Sequence, residues 1–134
     1  MAVVKTEVIP VDSESQVVAV RQIVRAWAQD LGFSLVDLTK IVTAASELAR
    51  NTIKHGGGGI LTLEALHEGI RRGLRLVFED HGPGIPDLSL AMKDGYTTGG
   101  GLGLGLGGSK RLVNDFQIAS KVGEGTRVTI VRWK

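Results

Sequence analysis

Glu79-Asp80-His81-Gly82-Pro83-Gly84 follows directly on an apolar, strand-like run, Leu74–Phe78, and a second glycine-rich stretch, Gly99-Gly-Gly-Leu-Gly-Leu-Gly-Leu-Gly-Gly108, comes further along the chain. Glycine is the compositional outlier, with 19 of 134 residues, against a usual share of about 7%. Thirteen of the 19 fall at 56–59, at 82 and 84, and between 99 and 108, so they are placed rather than scattered. A flexible linker would also carry serine and would lack regular spacing. These clusters sit instead between well-patterned segments, and the alternating Leu102, Leu104 and Leu106 could anchor the second stretch to a core.

The flanking segments follow from periodicity. Val3–Val11 reads as a first strand, at an edge because Pro10 cannot donate to a ladder. Asp12, Ser13 and Ser15 are candidate caps for a helix running to about Leu31, with Val17, Val20, Ile23, Val24 and Trp27 at helical spacing and Gly32 as its stop. Ser34 with Asp37 has the form of a capping box. It opens a second helix to about His55, whose buried stripe is Leu38, Ile41, Val42, Ala45, Leu48, Ala49, Thr52 and Ile53. Ile60–Leu66 and Leu74–Phe78 read as strands joined near Glu68–Gly73. A short helix is expected within Asp87–Lys93 and another within Leu102–Val113. Phe116–Lys121 and Thr126–Trp133 form a final hairpin. This order predicts an α+β two-layer sandwich, a mixed sheet with helices on one face. The length suits one domain, 1–134, with no internal repeat.

Composition narrows the function. Hydrophobic residues make up 43%, enough for a globular core, and the absence of cysteine excludes disulfides and thiolate metal sites. A net charge of +2 with scattered basic residues and 4% aromatics argues against nucleic acid. No apolar run approaches the roughly 20 residues that span a bilayer, and Met1–Pro10 has no signal-peptide pattern. A cytoplasmic protein with no membrane contact is expected.

Three segments carry chemistry. Glu47, Asn51 and Lys54 are spaced i, i+4 and i+7 along one side of the second helix. The carboxylate can accept a proton, the amide oxygen can ligate Mg²⁺, and the ammonium can neutralise phosphate. Lys40, Thr43 and Arg50 share that side, so a solvated face is the competing reading. Asp80 could accept a hydrogen bond from an adenine amino group, with Gly82 and Gly84 letting backbone approach a flat base. A plain surface turn is the alternative there. Bare N–H groups between Gly99 and Gly108, leading into a helix, make an anion site; otherwise the stretch is a loop packed by its leucines. Gly103, Gly105 and Gly108 match G-x-G-x-x-G, yet no apolar strand leads into them, which excludes the Rossmann reading. Gly108-Ser109-Lys110 has the wrong order for a Walker A loop.

Together and in order, these segments resemble the GHKL ATPase/kinase superfamily. Glu47…Asn51 resembles its N box, Asp80-His-Gly82-Pro-Gly84 its D-x-G-x-G box, Gly99–Gly108 its glycine-rich box beside the ATP lid, and Gly125-Thr126 its final G-T pair. Ser46-Glu-Leu-Ala-Arg-Asn51 and Asp94-Gly-Tyr-Thr-Thr-Gly-Gly-Gly-Leu-Gly-Leu-Gly-Leu106 are similar to small bacterial serine/threonine kinases of the anti-sigma and RsbT-like switch group.

The resemblance implies a Bergerat-type fold and ATP with Mg²⁺ as cofactors. Asp80 would hold the adenine amino group, with Gly82, Gly84 and Thr126 in the same site. Asn51 would ligate the metal. Lys54 and the segment Gly99, Gly100, Gly101, Leu102, Gly103, Leu104 and Gly105 would serve the phosphates. Glu47 would act on the acceptor hydroxyl of a STAS-domain partner, and the freed kinase would activate a PP2C-type phosphatase. The alternative is an anti-sigma factor or a nucleotide-stabilised binding module that sequesters a partner such as an alternative sigma factor. His55 is expected to pack or to sit beside the adenine, and His67 to lie at a turn. Trp27 and Trp133 are expected in the core or an interface.

Overall fold

The computed structural model describes residues 1–93 and 105–134. The elements are β1 (Ala2–Val11), α1 (Glu14–Asp30), α2 (Leu35–Lys54), β2 (Gly59–Glu68), β3 (Arg71–Asp80), α3 (Leu88–Ala91), α4 (Gly105–Arg111), β4 (Asp115–Lys121) and β5 (Gly125–Trp133). The strands form one sheet in the order β1-β2-β3-β5-β4, with β1 at an edge.

Every pairing in that sheet is antiparallel, which corrects the expected mixed sheet. The connections explain it. Two helices between β1 and β2 pack as a hairpin and return the chain to the end where β1 finished, so β2 runs back against β1. Short turns join β2 to β3 and β4 to β5, and such turns join only antiparallel strands. The β2–β3 turn is also tighter than expected, because the ladder continues out to Glu68 and Arg71.

Alternation along the strands decides which face is covered. Leu61, Leu63 and Ala65 of β2 face the same way as Leu74, Leu76 and Phe78 of β3 and Val128 and Ile130 of β5, and all are buried. They pack on Val17, Val20, Val24 and Trp27 of α1 and Leu38, Ile41, Ala45 and Leu48 of α2. Each fully buried aliphatic side chain of this kind is worth about 2 kcal/mol. Residues of opposite parity, such as Val8, Thr62, Val77 and Thr129, share the other face across consecutive strands.

The helix ends are held as local chemistry requires. The Gln16 side chain accepts the N–H of Ser13 at 3.2 Å at the start of α1. The Ser34 hydroxyl accepts the N–H of Asp37 at 3.2 Å, which is half of the expected capping box. The other half is diverted: the Asp37 carboxylate takes Arg132 Nη2 of β5 at 2.5 Å. That ion pair ties the first turn of α2 to the last strand, and Arg132 Nη1 also donates to the Leu112 carbonyl after α4.

Candidate nucleotide site

The sheet register builds one end of the site. Asp80, the last residue of β3, lies directly between Gly59 of β2 and Thr126 of β5. One step back along the same face, Phe78 pairs with Val128 and both are buried. The end of the sheet therefore offers an apolar floor with a carboxylate and a hydroxyl at its rim.

α2 forms one wall over this floor. Leu48, Asn51, Thr52 and His55 line a cavity of about 350 Å³. The segment Pro83–Asp87 with Leu90 and Ala91 of α3 closes a second side, and Gly105 and Leu106 of α4 a third. Pockets for nucleotide-sized ligands run to about 300–1,000 Å³ with apolar walls and few polar groups. This one fits: its walls are mostly apolar and its polar groups are few, chiefly Asn51, Asp80 and Thr126.

The Asp80 carboxylate is held by its own loop. Gly82 N–H donates to Oδ1 at 2.9 Å. Glycine at 82 is needed for contact, since a Cβ there would lie 2.7 Å from the backbone of Gly56. Gly84 is needed for conformation: its φ is +78°, and a Cβ would lie 2.4 Å from the Lys121 carbonyl oxygen. Of the two, Gly84 lines the cavity, and Gly82 packs behind it.

Glu47 lies one turn before Asn51 on α2 and is only 6% exposed. Six consecutive residues, Ala44 to Ala49, are buried, so this turn of α2 is enclosed on all sides and is not a solvated face. A carboxylate withdrawn from water needs a partner, and Arg50 Nη1 lies 3.4 Å from Glu47 Oε1. Glu47 does not itself form the cavity wall; it adjoins it through Asn51. Lys54 lies exposed at the end of α2, between the lining residues Thr52 and His55, and does not itself line the cavity. Gly105 stands at the wall with φ +62°. Gly99, Gly100, Gly101, Leu102, Gly103 and Leu104 lie outside the described residues.

Of the histidines, His55 is at the cavity wall and His81 is exposed on the loop. Trp27 is a buried core residue with Lys5 Nζ 4.2 Å above its ring, and Trp133 carries Arg71 at 4.0 Å. Sequence reasoning missed the apolar walls contributed by Ile85, Leu90 and Val128. Their only signal is position, since each follows or opposes a glycine motif.

Among the described residues, no three His, Asp or Glu side chains converge to cage a metal. Asn51 offers one hard oxygen at the wall. Mg²⁺ is commonly held by one or two protein oxygens plus substrate phosphates and water, so the residues present fit a metal that arrives with its nucleotide.

Residues 9–132 match the profile of the histidine kinase-like ATPase domain. The chain is 46% identical over 121 residues to the serine/threonine-protein kinase RsbT of Bacillus subtilis, covering 90% of this chain and 91% of the relative. It is 35% identical over 111 residues to an anti-sigma F factor of Clostridium kluyveri, with 78% and 77% covered. An anti-sigma F factor of Anoxybacillus flavithermus is 32% identical over 119 residues, with 84% and 80% covered. In fold, the chain superposes with a TM-score of 0.66 on the crystal structure of the RsbU and RsbW domains of a Mycobacterium tuberculosis protein; at 22% identity, this covers 97% of this chain and 33% of that one. No helix among the described residues is long and apolar enough to cross a membrane. With its profile match spanning nearly the whole sequence, the chain belongs to the histidine kinase-like ATPase domain family.

Proposed function

We propose that residues 1–134 act as one ATP-dependent protein serine/threonine kinase domain that works as a partner switch. One observation carries the reading. A single helix, α2, presents Asn51 to a cavity rimmed by Asp80 and keeps a buried carboxylate, Glu47, one turn away.

Asp80 accepts a hydrogen bond from the adenine amino group, and Phe78 and Val128 form an apolar floor beneath the base. Asn51 supplies its amide oxygen to Mg²⁺. When bound, that metal neutralises phosphate charge and orients the transferring group. Lys54 and the segment from Gly99 to Gly105 serve the phosphates. Glu47 accepts the proton of a partner's serine or threonine hydroxyl as its oxygen bonds to the γ-phosphorus and ADP leaves. Similarity to RsbT supports a STAS-domain substrate and, on release, activation of a PP2C-type phosphatase.

The test is transfer of phosphate from ATP to a cognate STAS protein in the presence of Mg²⁺. A folded, ATP-binding chain that transfers nothing would sink the kinase reading. The second reading, an anti-sigma factor that sequesters a sigma factor, is favoured by the two anti-sigma F relatives. Under that reading, co-purification recovers a sigma factor.

A further inference from the structure

We infer that Ser120, a β4 residue that does not line the cavity, is a positioning residue for the adenine end of the site. The inference rests on the ATP reading above.

Counting protons gives Ser120 its role. Its Oγ accepts the N–H of Ile85 at 2.8 Å, across 35 residues of sequence. It donates its single hydroxyl proton to the Gly125 carbonyl at 3.2 Å. With that proton on Gly125, we assign the remaining contact, 2.8 Å to Thr126 Oγ1, to Thr126 as donor, the arrangement in which all three bonds form together. A hydroxyl has one proton and two lone pairs, so Ser120 is saturated by these three bonds.

Two consequences follow. First, the loop after Asp80 is latched to the β4–β5 hairpin. Ile85 is tied to Ser120, and Gly123 N–H donates to the Pro83 carbonyl at 2.8 Å. Second, Thr126 has spent its only proton on Ser120. Toward the cavity it presents lone pairs alone, beside the carboxylate of its ladder neighbour Asp80. This end of the site thus offers acceptors, and the matching ligand group is a donor: the 6-amino group of a purine.

The experiment compares ATP with purine riboside triphosphate, which lacks that amino group, and measures amide exchange of the nucleotide-free protein. Ser120→Ala is expected to weaken ATP binding about tenfold and the des-amino analogue less than threefold, one lost acceptor being worth about a tenfold factor. The Ile85 amide should exchange at least tenfold faster while β2 and β3 amides stay protected. Ser120→Thr, which keeps the hydroxyl, should restore both. Equal weakening of both nucleotides, or unchanged exchange at Ile85, overturns the inference. A wild-type chain that binds neither nucleotide overturns the ATP reading and the selectivity role with it. Ile85 exchange still decides the latch in that case.

Discussion

Gly82 N–H donates to Asp80 Oδ1 at 2.9 Å, so the carboxylate at the rim of the cavity is oriented by the loop it begins. One oxygen is thereby committed to the backbone, and the other remains to accept from a ligand.

Asp80→Asn tests this division. Asparagine keeps a carbonyl oxygen for Gly82 N–H but replaces the second acceptor with a donor. The donor would oppose the adenine amino group. ATP affinity by calorimetry should fall about 10- to 100-fold, the cost of about 1–3 kcal/mol for an unpaired buried polar group. The melting temperature should barely move. A large fall in melting temperature would reassign Asp80 to structure.

Glu47→Gln separates chemistry from binding. The substitution preserves shape in a buried position and removes the proton acceptor. Nucleotide affinity should stay within about twofold, while phosphotransfer should fall about 10²- to 10⁴-fold, the usual worth of a general base. Equal loss of both would show that the Glu47–Arg50 pair holds α2 in place.

Asn51→Ala should make nucleotide binding indifferent to Mg²⁺. Wild-type affinity for ATP should rise on adding the metal, and the variant's should not. The measurement is one titration with Mg²⁺ and one with a chelator. A variant that keeps the metal response would place the amide elsewhere than on Mg²⁺.

The Asp37–Arg132 pair predicts how stability depends on pH. The hydrogen bond from Arg132 holds the Asp37 carboxyl below its ordinary value, with smaller help from Ser34 and Lys40 against the cost of burial. A group whose folded-state pKa is depressed stabilises the fold above its unfolded value, near pH 4, and loses that contribution as pH falls through the folded value. Asp37→Asn should therefore lower the melting temperature at pH 7 by about 4 °C, corresponding to about 1 kcal/mol for a partly exposed pair. The wild-type and variant curves should converge below pH 4. Curves that stay parallel down to pH 3 would exclude the pair as a source of acid sensitivity.

Helix spans, the order of elements along the chain and the three chemical segments were legible in the sequence because they depend on neighbours within a few residues. Helical spacing marks α1 and α2, alternation marks β2, β3 and β5, and glycine clusters mark where backbone must pass close to something. The Asp37 side chain escaped that logic. Its spacing from Ser34 matched a local cap, while a guanidinium 95 residues away offered a stronger, charged partner. The solvated-face reading of Glu47 failed for a related reason. Periodicity assigns a helix one buried stripe, whereas this turn is enclosed on every side.

Local pattern alone marked two glycine-rich loops beside a helix-covered sheet. The tertiary structure decided which members of each motif reach the cavity. Gly84 lines it and Gly82 supports it; Asn51 forms the wall and Glu47 lies behind. It also made the sheet wholly antiparallel and brought Ser120 to Ile85 and Thr126. The physical reason is that hydrogen-bond partners and burial depend on distance in space. In an antiparallel sheet, residues far apart in sequence become neighbours only once the register is set.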